Sequence, residues 1–281
     1  MSASAPIDTP FDAPIRRAEF YVGSATERLF VRSWEGARAS RVLLLHHDLA
    51  DHSGRYDRFA VWLAGRGTIV YAFDARGHGL SSGTRGHAST PRVLCDDLSE
   101  VLREVTLRSP ALPVYLIGQG LGALVALELL RDTHCGVHGG LLAALPPAAD
   151  WPVEGLRAAH GWRLLWPLKR VPLARDPREL STDEEVVRKY LEDPLVELSV
   201  TASLASACAR LRRRNGAVDK PILILAGGPE EAMASEASKG LGSEVSLRRY
   251  PAMGREVLQE PARERVFADV LCWLRERGDG A

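Results

Sequence analysis

Apolar residues in this chain form short unbroken runs, which alternate with stretches whose apolar positions recur at helical spacing. Unbroken runs are typical of parallel strands that are buried on both faces of a sheet. The pattern therefore predicts strands and helices in alternation. The predicted strands cover residues 41–47, 68–73, a segment from 113, 140–145, 221–226 and 244–250, and the predicted helices cover residues 55–64, 91–108, 121–134, 231–239 and 261–277.

Two further features set the predicted organisation. Short strands at 19–22 and 29–34 flank a polar turn and predict a hairpin near the start of the domain. After residue 147 the alternation gives way to an irregular helical pattern with several prolines. The predicted division is a loose N-terminal arm at 1–17, an α/β core with a doubly wound, mostly parallel sheet at 18–147 and 217–281, and a helical cap inserted at 148–216.

The composition is that of a globular protein: of 281 residues, 46% are hydrophobic and 26% are charged. The 36 basic and 36 acidic residues cancel, so no net field favours nucleic acid or an anionic membrane. No apolar stretch approaches the roughly 18–20 residues of a membrane span, and no signal peptide precedes the domain. The four cysteines are widely spaced, which indicates free thiols in a reducing compartment. We expect a cytoplasmic protein without a nucleic-acid partner.

Residues 113–122 predict a buried strand that passes through a tight turn into a helix. This layout is that of the nucleophile elbow, which has the pattern G-x-S-x-G. Gly120 stands where the pattern has serine, and glycine has no side chain that could attack a carbonyl carbon. It would also relieve the backbone strain of such a turn, which is worth about 1–3 kcal/mol. Ordinary serine-hydrolase chemistry is therefore not expected.

The same segment, residues 118–123, also fits the dinucleotide pattern G-x-G-x-x-A. That pattern should open the first βαβ unit and be followed about 20 residues later by an acidic strand end. Here it follows the third long buried strand, and the next strand ends in Leu145-Pro146. We therefore predict no nucleotide cofactor.

Four other segments carry motifs of a known family. They are HDLADHSGRY at 47–56 (family form HGxGEHSGRY), DARGHGLSSG at 74–83 (family form DxRGHGxSxG), DPLV at 193–196, and YPAMGREVLQEP at 250–261 (family form YPGARHEILNEP). Together with the elbow they resemble the monoacylglycerol lipase and lysophospholipase-like branch of the α/β-hydrolase superfamily, of the serine aminopeptidase S33 type. The resemblance runs from about residue 18 to 275 and implies an α/β-hydrolase fold with a cap.

The resemblance also identifies the positions of a Ser-His-acid triad, and the triad is degenerate. The nucleophile position is Gly120, and the histidine position is Arg255, whose guanidinium stays protonated and cannot act as a base at neutral pH. The acid position aligns with Glu230, which would have no histidine to orient. Two of the three roles are therefore missing.

The oxyanion hole is altered as well. By resemblance its donors are the backbone N–H groups of Leu49 and Leu121. The HGxG segment of the family is His47-Asp48-Leu49-Ala50 here. A carboxylate at Asp48 would disfavour a developing oxyanion if its side chain faced the site, and the sequence leaves that direction open.

Relocated catalytic groups are not evident. All eight histidines lie at or before His160, so none replaces Arg255. A second G-x-S-x-G match at 79–83 contains Ser81, but it lies in a loop rather than on a strand-to-helix turn, and the family carries serine there too. We interpret it as structural.

Histidines and aspartates cluster at 46–52, which invites a metal hypothesis. Three of them, His47, Asp51 and His52, occupy positions that the family fills with similar residues for structural hydrogen bonds. Only His46 and Asp48 are peculiar to this chain, so we predict neither a metal nor another cofactor.

The sequence leaves several functions open. We predict a non-hydrolytic protein that keeps a capped apolar pocket for a small lipophilic ligand or a protein partner. An alternative is a residual or unconventional esterase that uses Glu230, Asp48 or water in place of the triad. A scaffold with a collapsed pocket fits equally well, and the oligomeric state is open. The candidate pocket residues are His47, Asp48, Gln119, Trp151, Trp162 and Trp166.

Overall fold

The computed structural model describes residues 13–145, 165–173, 176–212 and 216–278. Ten strands lie within these ranges. They are β1 (Arg16–Gly23), β2 (Arg28–Glu35), β3 (Arg41–His46), β4 (Thr68–Phe73), β5 (Val114–Gln119), β6 (Gly139–Ala143), β7 (Arg170–Pro172), β8 (Ser199–Thr201), β9 (Ile222–Gly227) and β10 (Val245–Tyr250).

Eight of these strands form one sheet in the order β1-β2-β4-β3-β5-β6-β9-β10. The first two form the predicted hairpin, β2 also runs antiparallel to β4, and all other neighbours are parallel. Every residue of β3, β4 and β5 is buried, which explains their unbroken apolar runs. In register, His46 pairs with Phe73 and with Gly118, so the carboxyl ends of three central strands meet at one edge.

Helices cover both faces of the sheet, as a doubly wound fold requires. On one face, Leu43 and Ile117 of the sheet pack with Phe59 and Phe267. The described α-helices are α1 (Asp57–Ala64), α2 (Pro91–Arg108), α3 (Leu121–Leu130), α4 (Glu184–Glu192), α5 (Ala202–Arg212), α6 (Glu231–Ser238) and α7 (Arg263–Gly278). Phe59 belongs to α1 and Phe267 to α7, whereas α2 and α3 cover the opposite face. Among the helices described, none is long and apolar enough to cross a membrane.

Helix α2 has the bounds that its sequence predicts. Pro91 occupies the first turn, where its missing N–H costs nothing, and the Thr90 hydroxyl accepts the backbone N–H of Val93 at 3.3 Å. Helix α3 is shorter than predicted and ends at Leu130. The Asp132 carboxylate accepts the N–H of His134 at 2.9 Å, a local bond that competes with helix continuation. Similarly, the helix predicted from residue 55 begins as a 3-10 turn before α1.

The inserted region is not purely helical. Strands β7 and β8 pair antiparallel within it, and the two partners are too far apart in sequence for a local pattern to reveal the pairing. Helix α5 also lies in the predicted cap range, yet Leu204 and Cys208 pack in the same core cluster as Leu121. The predicted division into cap and core stays a prediction, and α5 packs as part of the core.

A buried ion cluster ties the chain before α7 to the chain before α1. The Arg55 guanidinium contacts Asp51 Oδ1 at 2.9 Å and Glu256 Oε2 at 2.6 Å. Burial tends to raise the pKa of Asp51, but Arg55, two histidines and the Tyr56 hydroxyl outweigh it and lower that pKa to about 2. The cluster therefore fixes the segment around residue 256 on the central sheet.

Replacing Arg55 by an uncharged residue should lower the stability of the fold. We expect Arg55→Met to lower the free energy of unfolding by about 3–5 kcal/mol, because two buried carboxylates lose their counter-charge. Arg188→Met is the matched control. It breaks two exposed ion pairs with Glu185 and Glu192, which solvent screens, so the free energy of unfolding should change little. Urea unfolding measures the free energy of unfolding of both variants. Equal losses of stability would contradict the conclusion that the Arg55 cluster stabilises the fold.

Candidate functional site

The turn between β5 and α3 keeps the geometry of a nucleophile elbow. Gly120 adopts φ 54° and ψ −112°, a conformation that side-chain-bearing residues rarely take. Its N–H donates to the carbonyl of Ala143 at 3.0 Å, and its carbonyl accepts the N–H of Ala123 at 3.1 Å. The elbow is thus held on both sides but carries no nucleophile.

The side chain of Asp48 faces this elbow. Its Oδ1 accepts the backbone N–H of Leu49 at 2.7 Å and that of Leu121 at 2.7 Å, and the residue is only 1% exposed. These are the two donors that the sequence predicts for an oxyanion hole. The direction of Asp48, which the sequence leaves open, is therefore toward the site, and its carboxylate takes both donors.

The same carboxylate occupies the space of a side chain at position 120. A Cβ built on Gly120 would lie well inside 3.0 Å of Oδ1, Cγ and Oδ2 of Asp48. Glycine at position 120 is therefore required for two reasons: its positive φ and the presence of the carboxylate. Strain relief at the elbow, predicted from the sequence, is only part of the explanation.

The loop that presents Asp48 is held by its neighbours. His47 Nε2 accepts the N–H of Ala75 at 2.9 Å, so its Nδ1 carries the proton and donates to the Asp48 carbonyl at 2.6 Å. Ala50 adopts φ 56°, at the position where the family motif has glycine. His47 therefore positions the loop and lies beside the site.

The other two triad-equivalent positions meet each other. Arg255 Nη1 lies 3.1 Å from Glu230 Oε1, and both side chains are buried. The N–H of Arg255 also donates to the Glu179 carbonyl at 2.9 Å, which attaches this loop to the inserted region. An Arg–Glu ion pair thus occupies the two positions that the sequence resemblance aligns with a histidine and an acid, and the guanidinium cannot accept a proton.

Two further histidines near the loop are neutral. Burial is the main cause that lowers the pKa of His46 to about 3 and that of His78 to about 4, and the proximity of His47 lowers both further. The ring centroids of His46 and His47 are 5.6 Å apart, and those of His47 and His78 are 5.4 Å apart. Neither ring is presented to a nucleophile at the elbow, where only Gly120 stands.

Cys208 of α5 is a site residue that the sequence did not identify. Burial is the main cause that raises the pKa of its thiol, and the negative charge of Asp48 raises that pKa further. The only local signal is the helical spacing of Leu204, Cys208 and Leu211, which indicates a buried face but not which surface it meets.

The remaining predicted pocket residues differ in their surroundings. Gln119 is 1% exposed, and neither atom of its amide forms a hydrogen bond with the part of the chain described. Trp166 is 62% exposed, which does not suit the wall of a buried pocket, so the structure does not support it as a pocket residue. Trp151 and Trp162 lie outside the described residues.

Comparisons with known proteins agree with the fold. The model of the family described as serine aminopeptidase, S33, matches residues 37–262. The chain is 27% identical over 263 residues to the monoacylglycerol lipase of Mycolicibacterium smegmatis, with 83% of this chain and 87% of that protein covered. The crystal structure of Paleococcus ferrophilus monoacylglycerol lipase superposes with a TM-score of 0.77 at 24% identity, covering 94% of this chain and 99% of that one.

A longer protein also matches. An uncharacterized abhydrolase domain-containing protein of Dictyostelium discoideum is 29% identical over 279 residues, which cover 92% of this chain. The chain spans only 29% of the length of that protein.

The collision between positions 48 and 120 is testable as an energetic coupling. We expect Gly120→Ala to cost about 2–4 kcal/mol of unfolding free energy, because the new methyl group displaces a carboxylate that holds two N–H groups. Asp48→Gly should make the same substitution at least about 1 kcal/mol cheaper in a double-mutant cycle. Thermal or urea unfolding gives the four free energies.

Gly136→Ala is the control for this cycle. Gly136 has φ 71°, but a Cβ there meets nothing within 4 Å. The Gly136→Ala substitution should cost only the free energy of placing alanine in a left-handed backbone conformation, about 1–2 kcal/mol, whether or not Asp48 is present. Additive free energies at positions 48 and 120 would show that the carboxylate does not occupy this space.

Proposed function

Because this chain belongs to the serine aminopeptidase S33 family of α/β-hydrolases, we propose that it is a non-hydrolytic member, a pseudoenzyme that binds a lipid-like ligand under its cap. The observation that carries the proposal is the pair of N–H groups from Leu49 and Leu121 on one oxygen of Asp48. The proposal includes a cytoplasmic location, which rests on the spacing of the four cysteines.

Ester cleavage by this family's route needs three groups at one point: a nucleophile, a base and oxyanion donors. Position 120 offers no nucleophilic atom, and Arg255 offers no base. The donors are present, but Asp48 already takes them, and its negative charge opposes a second oxyanion in the same place. Each requirement fails for a separate physical reason.

The alternative, an unconventional esterase, finds little support in the same geometry. Glu230, one candidate base, is engaged by Arg255 at 3.1 Å. Asp48, the other, holds the donors that a tetrahedral intermediate would need. Loss of a single oxyanion donor costs about 100- to 1,000-fold in rate in a serine protease, and here both are taken.

The side-chain amide of Gln119 favours a ligand at this site, because neither of its polar atoms forms a hydrogen bond within the described residues. A buried polar group without a hydrogen bond costs about 1–3 kcal/mol, and native proteins keep few of them. Gln119 ends β5, directly beside Gly120, and shares the sheet face of Tyr115 and Ile117. A bound molecule with a hydrogen-bonding group would satisfy it. Relatives named monoacylglycerol lipase suggest the chemical class, an acyl chain with a polar head.

The first test is gain of esterase activity. We expect no turnover of p-nitrophenyl butyrate above the uncatalysed rate by the natural sequence or by Gly120→Ser/Arg255→His, because Asp48 still fills the site. Adding Asp48→Gly to this double variant should raise the turnover rate about a hundredfold above the uncatalysed rate. The substitution frees both N–H donors and the space that the side chain of the introduced serine needs. Asp97→Gly in place of Asp48→Gly is the matched control, because Asp97 pairs with Arg76 elsewhere. Turnover by the natural sequence would refute the non-hydrolytic proposal.

The second test addresses the ligand. We expect calorimetry to detect binding of 1-O-hexadecylglycerol, a monoacylglycerol analogue without an ester bond. Gln119→Leu should weaken this binding about tenfold, because it removes a hydrogen bond worth about 1 kcal/mol or more. The control is Gln259→Leu, which removes an amide bonded to the Arg55 carbonyl. If the natural sequence binds no such lipid, the ligand part of the proposal fails while the first test stands.

A further inference from the structure

We propose that a groove between α1 and α7 binds a flat aromatic anion, such as an aryl carboxylate. We call it the α1/α7 groove. Its apolar wall includes Val61, Trp62 and Phe267, and its rim includes Arg58, Arg66 and Arg263. None of these residues belongs to the elbow, so this site is separate from that of the lipid-like ligand proposed above.

The α1/α7 groove offers a small molecule both room and access. Its volume is about 410 Å³, and a second cavity of about 470 Å³ shares Asp57, Arg58 and Arg263 with it. Small-molecule sites commonly enclose about 300–1,000 Å³. Arg58 and Glu264 at the rim are exposed to solvent, so a ligand can enter from outside.

The wall of the groove is aromatic. Trp62 of α1 and Phe267 of α7 meet edge to face, with ring centroids 5.8 Å apart and an interplanar angle of 62°. Planar groups already stack here, because the guanidinium carbon of Arg66 lies 3.8 Å from the centroid of the Trp62 ring. A further flat ring can pack against such a wall in the geometries that aromatic groups prefer.

Two arginines where the cavities meet lack a carboxylate partner. Arg58 forms no hydrogen bond or ion pair with the described part of the chain. The Arg263 side chain donates from Nη1 to the carbonyl of Glu260 at 3.0 Å and, within the same residues, to no carboxylate. A guanidinium can bind a carboxylate through two parallel N–H bonds, so an anionic ligand would supply the missing partner.

The acidic residues at the groove do not cancel this charge. Among the described residues that line it, three are arginines and two, Asp57 and Glu264, are acidic. Asp57 Oδ1 accepts the indole N–H of Trp34 at 2.7 Å and lies 3.2 Å from Arg17 Nε, so its charge is already balanced. Glu264 alone is left against the three arginines of the rim. The local charge therefore favours an anion.

One small molecule can use both features at once. Arg58 precedes Trp62 by four residues on α1, and side chains at this spacing lie on the same face of a helix, about 5–6 Å apart at Cβ. A ring packed on Trp62 can therefore present a carboxylate to Arg58. A neutral aromatic molecule lacks the ion pair, and an aliphatic anion lacks the ring contacts.

Calorimetry with 2-naphthoate tests the proposal. We expect the natural sequence to bind it at one site, about tenfold more tightly than 2-naphthylmethanol, which has the same rings and no charge. Octanoate, which has the same charge and no ring, should bind about fivefold more weakly than 2-naphthoate.

Two variants separate the contributions of charge and packing. Arg58→Gln should weaken binding of 2-naphthoate about tenfold and leave binding of 2-naphthylmethanol unchanged. Val61→Ser removes apolar contact and should weaken both about threefold. Arg92→Gln, at an exposed arginine of α2, is the matched control and should change neither affinity. Gln119→Leu should also leave 2-naphthoate binding unchanged, because Gln119 lies at the elbow. Thermal unfolding checks that each variant folds.

Several results would overturn the proposal. They are no binding of 2-naphthoate at millimolar concentration, equal affinity for 2-naphthylmethanol or octanoate, and unchanged 2-naphthoate affinity in Arg58→Gln or Val61→Ser. Loss of 2-naphthoate binding in Gln119→Leu would place the ligand at the elbow instead. Binding that appears only after removal of residues 1–12 would assign the groove to a segment of this chain. None of these results bears on the esterase test or on the binding of 1-O-hexadecylglycerol, which use other probes.

Discussion

The carboxylate of Asp48 accepts two backbone N–H groups, one from the adjacent Leu49 and one from Leu121, which lies 73 positions after Asp48. One belongs to the loop after β3 and the other to the first residue of α3. These hydrogen bonds to a carboxylate therefore link the carboxyl ends of two central strands. The carboxylate also fills the space next to Gly120, so one side chain both accepts the two N–H groups and excludes a side chain at position 120.

The framework around these hydrogen bonds is held by contacts that do not involve Asp48 or Gly120. The loop that carries Arg255 is fixed by the neighbouring Glu256, which pairs with Arg55 in a buried cluster, and by backbone bonds to residues 179 and 180. Arg255 can therefore replace a histidine without loosening the loop, and Glu230 supplies its counter-charge. Buried ion pairs contribute modestly when intact and cost several kcal/mol when broken, so such a pair persists for structural reasons alone.

Local patterns were sufficient for the sheet and for the strand-turn-helix layout of the elbow, whereas the loss of the triad stays a prediction. The unbroken runs of β3 and β5 identify buried parallel strands, and Gly120 is visible in the sequence as a missing nucleophile. The direction of Asp48 was not predictable, because it depends on a contact with Leu121 that only the folded sheet brings about. The same holds for Cys208, whose helix looks like cap in sequence but packs against the core.

The geometry also makes the residues at positions 48 and 120 depend on each other. With Asp48 in place, any side chain at position 120 meets the carboxylate, so a serine there is disfavoured before it can react. With Gly120 in place, the Asp48 carboxylate accepts two N–H groups, so replacing it by an apolar residue removes the acceptor of both. Each residue thus raises the free-energy cost of changing the other. A serine at position 120 would therefore first require a change at position 48, because removal of that carboxylate frees both the space next to Gly120 and the two N–H groups.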